Sequence, residues 1–164
     1  MSKLYWTIFE TDFGWVALIG CGGKLVGLEF PKPTKEAVRA GIPEGYEESK
    51  DGFGRLPEQI KRYFAGERVL FDCDLDLSGF SEFEKQVLLE TRQIPYGSVI
   101  SYKALAALVG RPCAARAVGN AMRKNPVPLV IPCHRVLHSD GGLGGFGGGL
   151  DMKRRLLALE EVEI

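Results

Sequence analysis

Apolar and polar residues alternate over the first thirty positions of this 164-residue chain, a pattern typical of strands with one buried face. The alternation predicts three antiparallel strands, over residues 4–10, 15–20 and 24–30. Turn-forming residues separate them, among them the pair Gly22-Gly23. The beginning of the chain is therefore predicted to form a small antiparallel sheet.

Short helices and one more strand are predicted after this sheet. Thr34 is positioned to cap a helix over 35–39, and apolar residues recur at helical spacing over 56–64. Residues 41–54 are rich in Gly, Glu and Ser, which predicts an exposed loop. Aspartates alternate with apolar residues over 69–77, which predicts an edge strand.

The character of the chain then changes from strands to helices. Ser81 and Glu84 have the spacing of a capping box, which predicts a helix over 83–93, and a closing amphipathic helix is predicted over 151–160. The two predicted domains are an N-terminal α/β domain over 1–78 and a mainly helical C-terminal domain over 79–164.

Two short helices inside the second domain have a spacing that indicates DNA binding. Ser101 is predicted to cap a helix over 102–108, and small residues dominate a predicted helix over 114–124. A glycine-containing turn at 110–112 joins them, which is the helix-turn-helix pattern. A short apolar strand is predicted over 129–131. This order of elements predicts a winged-helix-like domain.

The net charge is zero, but the distribution of charge favours DNA binding by the second domain. No acidic residue lies between Glu90 and Asp140, whereas seven basic residues do. A long acid-free interval is typical of a surface that faces phosphates, although a basic face that only contacts solvent is the alternative. The seven residues are Arg92, Lys103, Arg111, Arg116, Arg123, Lys124 and Arg135.

The cysteines and the apolar runs indicate an intracellular protein. Cys21, Cys73, Cys113 and Cys133 form no CxxC pair and no regular framework. No apolar run approaches the ~20 residues needed to span a bilayer, and the N-terminus lacks a signal-peptide core. We expect free thiols, no membrane contact, and a location in the cytoplasm, or in the nucleus if the source is eukaryotic.

Cys133 directly precedes His134, between a proline-stiffened apolar run and a loop with seven glycines between 141 and 149. A cysteine reacts as its thiolate, and a neighbouring imidazole can take the proton. The glycines leave room for a substrate close to the backbone. A buried structural cysteine beside an incidental histidine is the alternative explanation of this pair.

Four segments of the second domain resemble the O6-alkylguanine-DNA alkyltransferase family, proteins that repair DNA by direct reversal. The segments are ISY at 100–102, AARAVGNAM at 114–122, NPVP at 125–128 and IPCHRV at 131–136. They occur in order and with family-like spacing over 80–160, and the N-terminal part resembles the family only in length and strand-rich character. The resemblance implies irreversible, single-turnover transfer of an alkyl group, such as methyl, from guanine O6 in double-stranded DNA to a cysteine.

The resemblance also implies roles for individual residues in this transfer. Cys133 accepts the alkyl group, His134 takes the thiol proton, and Glu160 orients His134. Asn125 orders the turn that carries the cysteine. Tyr102 crowds a phosphate so that the damaged base rotates out, and it protonates guanine N3 as the base leaves. These five residues are the predicted catalytic set.

The remaining predicted roles concern DNA and the base pocket. Arg116 fills the gap that the rotated base leaves in the duplex, because an inserted arginine can bond the orphaned partner base. Small residues allow the helix to approach the minor groove. The other predicted DNA contacts are Ala114, Ala115, Ala117, Gly119 and Arg123, and the predicted pocket wall is Met122, Val136, Phe146 and Gly147.

Two pocket residues depart from the family pattern. Phe146 stands where many relatives have tyrosine, and Gly147 where some have a larger or polar residue, so the accepted alkyl groups and activity on O4-alkylthymine are left open. Some relatives bind structural zinc, but here only Cys21 lies near the corresponding region. His134 and His138 are four residues apart in a segment not expected to be helical. We expect no metal, no cofactor and a monomer.

Two other functions are compatible with parts of the sequence. A non-catalytic protein that binds alkylated DNA, or a DNA-binding regulator, could use the same scaffold, but such relatives typically replace the cysteine that is present here as Cys133. A thiol hydrolase would need an acyl pocket and an oxyanion hole, and nothing in the sequence indicates either.

Overall fold

A computed structural model describes residues 3–163 and divides the chain into two compact units, the first ending at Leu77 and the second beginning at Ser78. The predicted boundary lies one residue later. None of the helices in the described part of the chain is long and apolar enough to cross a bilayer.

A four-stranded sheet forms the centre of the first unit. Strands β1 (Leu4–Thr11), β2 (Gly14–Cys21) and β3 (Lys24–Lys32) form the predicted antiparallel meander, and the strand order is β3-β2-β1-β4. The residues of β2 from Val16 to Ile19 are all buried because this central strand is covered on both faces. The predicted antiparallel sheet is thereby confirmed.

Helices cover both faces of the sheet. Helix α1 (Lys35–Arg39), capped by the Thr34 side chain as predicted, buries Val38 in a cluster with Ala17 and Ile19. Helix α2 (Leu56–Phe64) buries Tyr63 and Phe64, and the Phe64 ring lies 4.8 Å from that of Phe13. Both helices have the predicted bounds, because capping and helical apolar spacing are local signals.

One prediction for the first unit was wrong and another was incomplete. Residues 69–77 form no strand; they touch the sheet at one isolated bridge between Leu25 and Leu75, where the Leu25 N–H donates to Asp74 O at 2.8 Å. The predicted loop at 41–54 contains β4 (Glu47–Glu48), which pairs in parallel with β1. A strand needs another strand to pair with, and the alternation of apolar and polar residues does not show whether one lies alongside. Alternation alone therefore does not predict these pairings.

The second unit is mainly helical, as predicted. Its helices are α3 (Glu82–Arg92), α4 (Tyr102–Leu108), α5 (Ala115–Arg123) and α6 (Leu150–Leu159). The capping box at Ser81 is present with both of its hydrogen bonds, and Ser101 caps α4 by accepting from the Ala104 N–H. Two short strands, β5 (Ile100–Ser101) and β6 (Val136–Leu137), pair in parallel.

The predicted strand at 129–131 is a turn instead. Leu129 has a φ of 79°, in the left-handed region, and the Ile131 N–H donates back to Val127 O at 3.0 Å. Pro126 and Pro128 have no N–H to give to a ladder, so this run curls rather than extending along a sheet. The curl leads directly into a 3-10 turn, Cys133–Arg135.

Candidate active site

A cavity of about 600 Å³ lies in the second unit between α5, the start of α4 and the glycine-rich loop. Helix α5 buries Val118 and Ala121 on one face, and buried Met122 lines the cavity together with small residues and arginines of the same helix. Cys133 lies in the wall where the 3-10 turn begins. The lining residues are Tyr102, Ala115, Arg116, Gly119, Met122, Arg123, Cys133, His138, Gly145, Phe146 and Gly147.

Asn125 fixes the turn that carries Cys133. Its Nδ2 donates to Ile131 O at 2.9 Å, and its Oδ1 accepts from the Val127 N–H at 3.0 Å. The Cys133 N–H donates to Ile131 O at 2.8 Å, so the cysteine backbone and the asparagine amide meet at one carbonyl. The position of the sulfur therefore depends on Asn125.

Cys133 is a thiol at rest. Burial raises its pKa, and this effect outweighs hydrogen bonds from Asn125 and the backbone and the positive charge of Lys153, which act in the opposite direction. Because only the thiolate is strongly nucleophilic, a group that accepts the thiol proton is needed for reaction near neutral pH. His134, the next residue, is the candidate for that group.

His134 and Glu160 form a buried hydrogen-bonded pair. The imidazole Nε2 lies 2.7 Å from Glu160 Oε2, and neither side chain has solvent exposure. Arg135 binds the same carboxylate through Nε at 2.8 Å and Nη2 at 2.9 Å, and the Gly97 N–H donates to Oε1 at 3.0 Å. The carboxylate thus accepts four hydrogen bonds, the number its two oxygens readily take.

The protonation states in this cluster follow from its geometry. Burial alone would raise the pKa of Glu160, but hydrogen bonds from His134 and Arg135 hold it well below its ordinary value, so the group is a carboxylate. A carboxylate only accepts, so the proton in the 2.7 Å contact lies on Nε2 of His134. Burial lowers the pKa of His134 despite the hydrogen bond to Glu160, which favours a neutral ring with its lone pair on Nδ1.

Lys153 is a buried site residue that the sequence analysis missed. Its side chain is fully buried, and Nζ donates to Val136 O at 2.9 Å and to Leu143 O. It ties the strand that follows the reactive turn to the glycine-rich loop. Burial lowers its pKa to about 8, whereas the nearby Cys133 acts to raise it. A lysine on the buried face of α6 is the signal that sequence reasoning could have used.

Tyr102 and His138 form another part of the cavity wall. Their ring centroids are 5.3 Å apart, and burial raises the pKa of Tyr102, an effect that a thiolate at Cys133 would strengthen. A Cβ on Gly144, whose φ is 73°, would lie 3.0 Å from the Tyr102 hydroxyl oxygen and 3.4 Å from His138 Nε2. Glycine therefore lets the loop pack against both rings.

Nine of the fifteen predicted site residues line the cavity. His134, Glu160 and Asn125 do not line it but support Cys133 as described above, whereas Val136, Ala114 and Ala117 belong to neither group. The side chain of Val136 is completely buried in β6 and does not line the base pocket. Its carbonyl accepts a hydrogen bond from Lys153. Ala114 is the residue before the first turn of α5, and Ala117 is exposed on the helix surface. No group of three or more metal-ligating side chains occurs among residues 3–163.

Arg135 and Lys124, which belong to the seven basic residues of the acid-free interval, bind carboxylates. Arg135 binds Glu160 in the interior, and Lys124 Nζ lies 2.6 Å from Glu84 Oε2. The expectation that these basic residues face phosphates was therefore wrong for Arg135. Its partner Glu160 lies 25 residues away in the sequence, so the residues near Arg135 did not indicate it. Arg116 and Arg123 remain exposed beside the cavity.

Two family models match almost the whole chain. One, described as "6-O-methylguanine DNA methyltransferase, DNA binding domain", matches residues 82–162. The other, described as "6-O-methylguanine DNA methyltransferase, ribonuclease-like domain", matches residues 4–77. The division between the two structural units, after Leu77, lies between the two matches.

Known relatives and solved structures are similar over nearly full length. A methylated-DNA–protein-cysteine methyltransferase of Mycolicibacterium paratuberculosis is 44% identical over 92% of this chain and 88% of its own, and one of Methanosarcina barkeri is 41% identical over 96% and 98%. The crystal structure of Mycobacterium tuberculosis OGT in complex with DNA is similar with a TM-score of 0.83 and 36% identity, covering 96% of this chain and 92% of that one.

Proposed function

Since the chain belongs to the 6-O-methylguanine DNA methyltransferase family, we propose that it repairs DNA by direct reversal and that Cys133 accepts an alkyl group from guanine O6. The protein is then an enzyme that works once, because no group in the described site is placed to remove a thioether from Cys133. The observation that carries the proposal is the cysteine in the wall of a base-sized cavity next to the buried His134–Glu160 pair.

Proton transfer precedes the chemical step. The Cys133 thiol gives its proton to Nδ1 of neutral His134, directly or through one water, and Glu160 stabilises the imidazolium that forms. The raised pKa of the thiol makes this transfer necessary near neutral pH. A buried carboxylate that already accepts four hydrogen bonds stays ionised throughout the step.

The bond changes balance without any co-reactant. The thiolate sulfur attacks the alkyl carbon, a carbon–sulfur bond forms, and the bond between that carbon and guanine O6 breaks with its electron pair left on the base. The leaving base needs one proton, which Tyr102 donates from the facing wall of the cavity. Tyr102 is reprotonated from His134 through solvent, so the net product is an S-alkylcysteine and unmodified guanine.

A base can reach Cys133 only if it leaves the DNA stack, since its O6 is enclosed in the duplex. Helix α5 presents Ala115 and Gly119 at the cavity, and a Cβ on Gly119 would meet no other atom within 4 Å. Exposed Arg116 on the same helix is the side chain that would occupy the vacated position in double-stranded DNA. The partner is therefore alkylated duplex DNA, and the reaction takes place inside the cell, in the cytoplasm or, in a eukaryote, in the nucleus.

The test is the mass of the intact protein after incubation with duplex DNA that contains O6-methylguanine. We expect a gain of one methyl group, about 14 Da, located on the Cys133 peptide, with no further turnover. The Cys133→Ala variant should bind the DNA without gaining mass, and Cys113→Ala, which removes an exposed free cysteine, should react normally. Binding without mass gain in the unmodified protein would favour the non-catalytic lesion binder, and multiple turnovers would contradict the proposal.

A further inference from the structure

Arg135 lies deeper in the structure than a DNA-binding residue would. Its guanidinium is held on three sides: two nitrogens donate to both oxygens of Glu160, and Nη1 donates to Ile94 O at 2.7 Å. His134 donates to one of the same oxygens from the other side, at 2.7 Å. Exposed fractions of 0% for His134, 7% for Arg135 and 2% for Glu160 place the whole cluster in the interior.

The charges of this cluster decide where its one mobile proton lies. The guanidinium of Arg135 is a cation bound to both oxygens of Glu160, so it is the counter-ion of this carboxylate. His134 can then be neutral without leaving a buried carboxylate uncompensated. If the guanidinium were absent, a protonated His134 would be the nearest counter-ion, and burial of the carboxylate would hold the proton there. A protonated imidazole has no lone pair for the Cys133 proton.

We propose that Arg135 is a positioning residue that keeps His134 in its neutral, proton-accepting form by neutralising Glu160 from the opposite side. The proposal deepens the proposed alkyl transfer and rests on it, because only a neutral His134 can activate Cys133. Burial and the charge of Arg135 both lower the pKa of His134, which agrees with the geometry.

The other charged groups around His134 do not replace this effect. Glu160 faces it from the end of α6, the buried ammonium of Lys153 from within α6, and Cys133 and Arg135 from its own turn. Lys153 acts in the same direction as Arg135 but is bound to Val136 O and Leu143 O and makes no described bond to Glu160. Removing Arg135 thus takes away the cation that binds the carboxylate itself.

Removing Arg135 should shift the pH dependence of the reaction. Loss of a positive charge stabilises imidazolium, so the pKa of His134 rises in Arg135→Met. The acid side of the rate profile for a free O6-alkylguanine base should move to higher pH by about one unit or more, the size typical of a close charge. At a fixed pH on that limb the rate falls about tenfold per unit, and it recovers as the pH is raised.

Nitrogen NMR of histidine-labelled protein reads the proton on His134 without any alkylated DNA. The chain has only two histidines, so exposed His138 serves as an internal reference in the same spectrum. We expect the neutral ring, with its proton on Nε2, at pH 7 in the unmodified protein, and in Arg135→Met we expect the ring to become charged at a higher pH than in the unmodified protein. Arg135→Lys keeps the charge and should keep the ring neutral. Arg154→Met, which removes an exposed charge on α6, is the matched control and should change nothing.

Several results would overturn the proposal. One is a His134 titration in Arg135→Met identical to that of the unmodified protein; another is a rate loss equal at every pH, as a purely structural role would give. If Arg135→Met does not fold, the spectra of the unmodified protein and Arg135→Lys decide, and a charged His134 at pH 7 in either contradicts the proposal. Failure of alkyl transfer itself would appear only in the mass measurement, so the two failures are distinguishable.

Discussion

The buried cluster behind Cys133 and the helix α5 on the other side of the cavity are built in opposite ways. In the cluster, His134, Glu160 and Lys153 are buried, and each is held by hydrogen bonds shorter than about 3 Å. On α5, Arg116 is exposed, and Gly119 has open space where a side chain would be. Proton transfer needs fixed distances, whereas a surface that receives DNA needs room and mobile cations.

This difference separates the chemistry from the recognition of DNA. A change in the cluster should impair every reaction that uses the Cys133 thiolate, including reaction with a free O6-alkylguanine base. A change on α5 should impair only reactions in which a base must be taken out of a duplex. Comparing the two substrates therefore tests whether the two regions act independently.

The largest effect is expected in the cluster, from His134→Ala. Without the imidazole, the thiol loses its proton acceptor, and its raised pKa keeps it protonated. We expect the second-order rate constant to fall by about 10²–10⁴-fold for both duplex DNA and the free base, measured near pH 7. The loss should shrink as the pH rises and solvent takes over deprotonation of the thiol.

The His134→Gln variant is the matched control for folding. Its amide can donate to Glu160 as Nε2 does now but cannot take a proton from Cys133, so it should be more stable to heat than His134→Ala and equally slow. A glutamine variant that reacts at the normal rate would show that His134 acts by holding Glu160, and the assigned proton transfer would be wrong.

The sequence was informative wherever structure depends on neighbours along the chain. The capping residues Thr34, Ser81 and Ser101 gave the starts of three helices because the capping hydrogen bonds span three residues. The segments at 69–77 and 129–131 were misassigned as strands, because pairing depends on a distant edge and on proline positions rather than on alternation.

The residues of the site were also predicted best where they are neighbours along the chain. Cys133, His134 and Asn125 were found because they are close in sequence and match a specific motif. Arg135 lay inside that motif but was counted with the DNA-facing cations, since its carboxylate partner is 25 residues away. Lys153 resembled an ordinary helix lysine, because the two carbonyls that bind it come from strand β6 and from the glycine-rich loop. The burial of a charged side chain can be recognised only in the folded structure, where its distant partners come together.

A smaller and more selective effect is expected on α5, from Arg116→Ala. If Arg116 occupies the stack in place of the rotated base, its removal lets the base return, and the rate on duplex DNA should fall about tenfold or more. Reaction with the free base should be nearly unchanged. Equal losses on both substrates would mean that Arg116 shapes the cavity, and the separation between the two regions would fail.

The smallest effect concerns two neighbouring cations at the end of α5. Arg123 is exposed at the cavity, whereas Lys124 is bound to Glu84 at 2.6 Å, so its charge is largely neutralised before DNA arrives. Each phosphate contact contributes about 0.9 to the slope of log affinity against log salt concentration for duplex DNA. Arg123→Gln should therefore reduce the slope by about one unit, and Lys124→Gln should change it little. Binding titrations of an undamaged duplex over a range of salt concentrations measure this. An equal reduction for both variants would show that the Lys124–Glu84 ion pair breaks when DNA binds. The side chains at this end of α5 would then rearrange on binding.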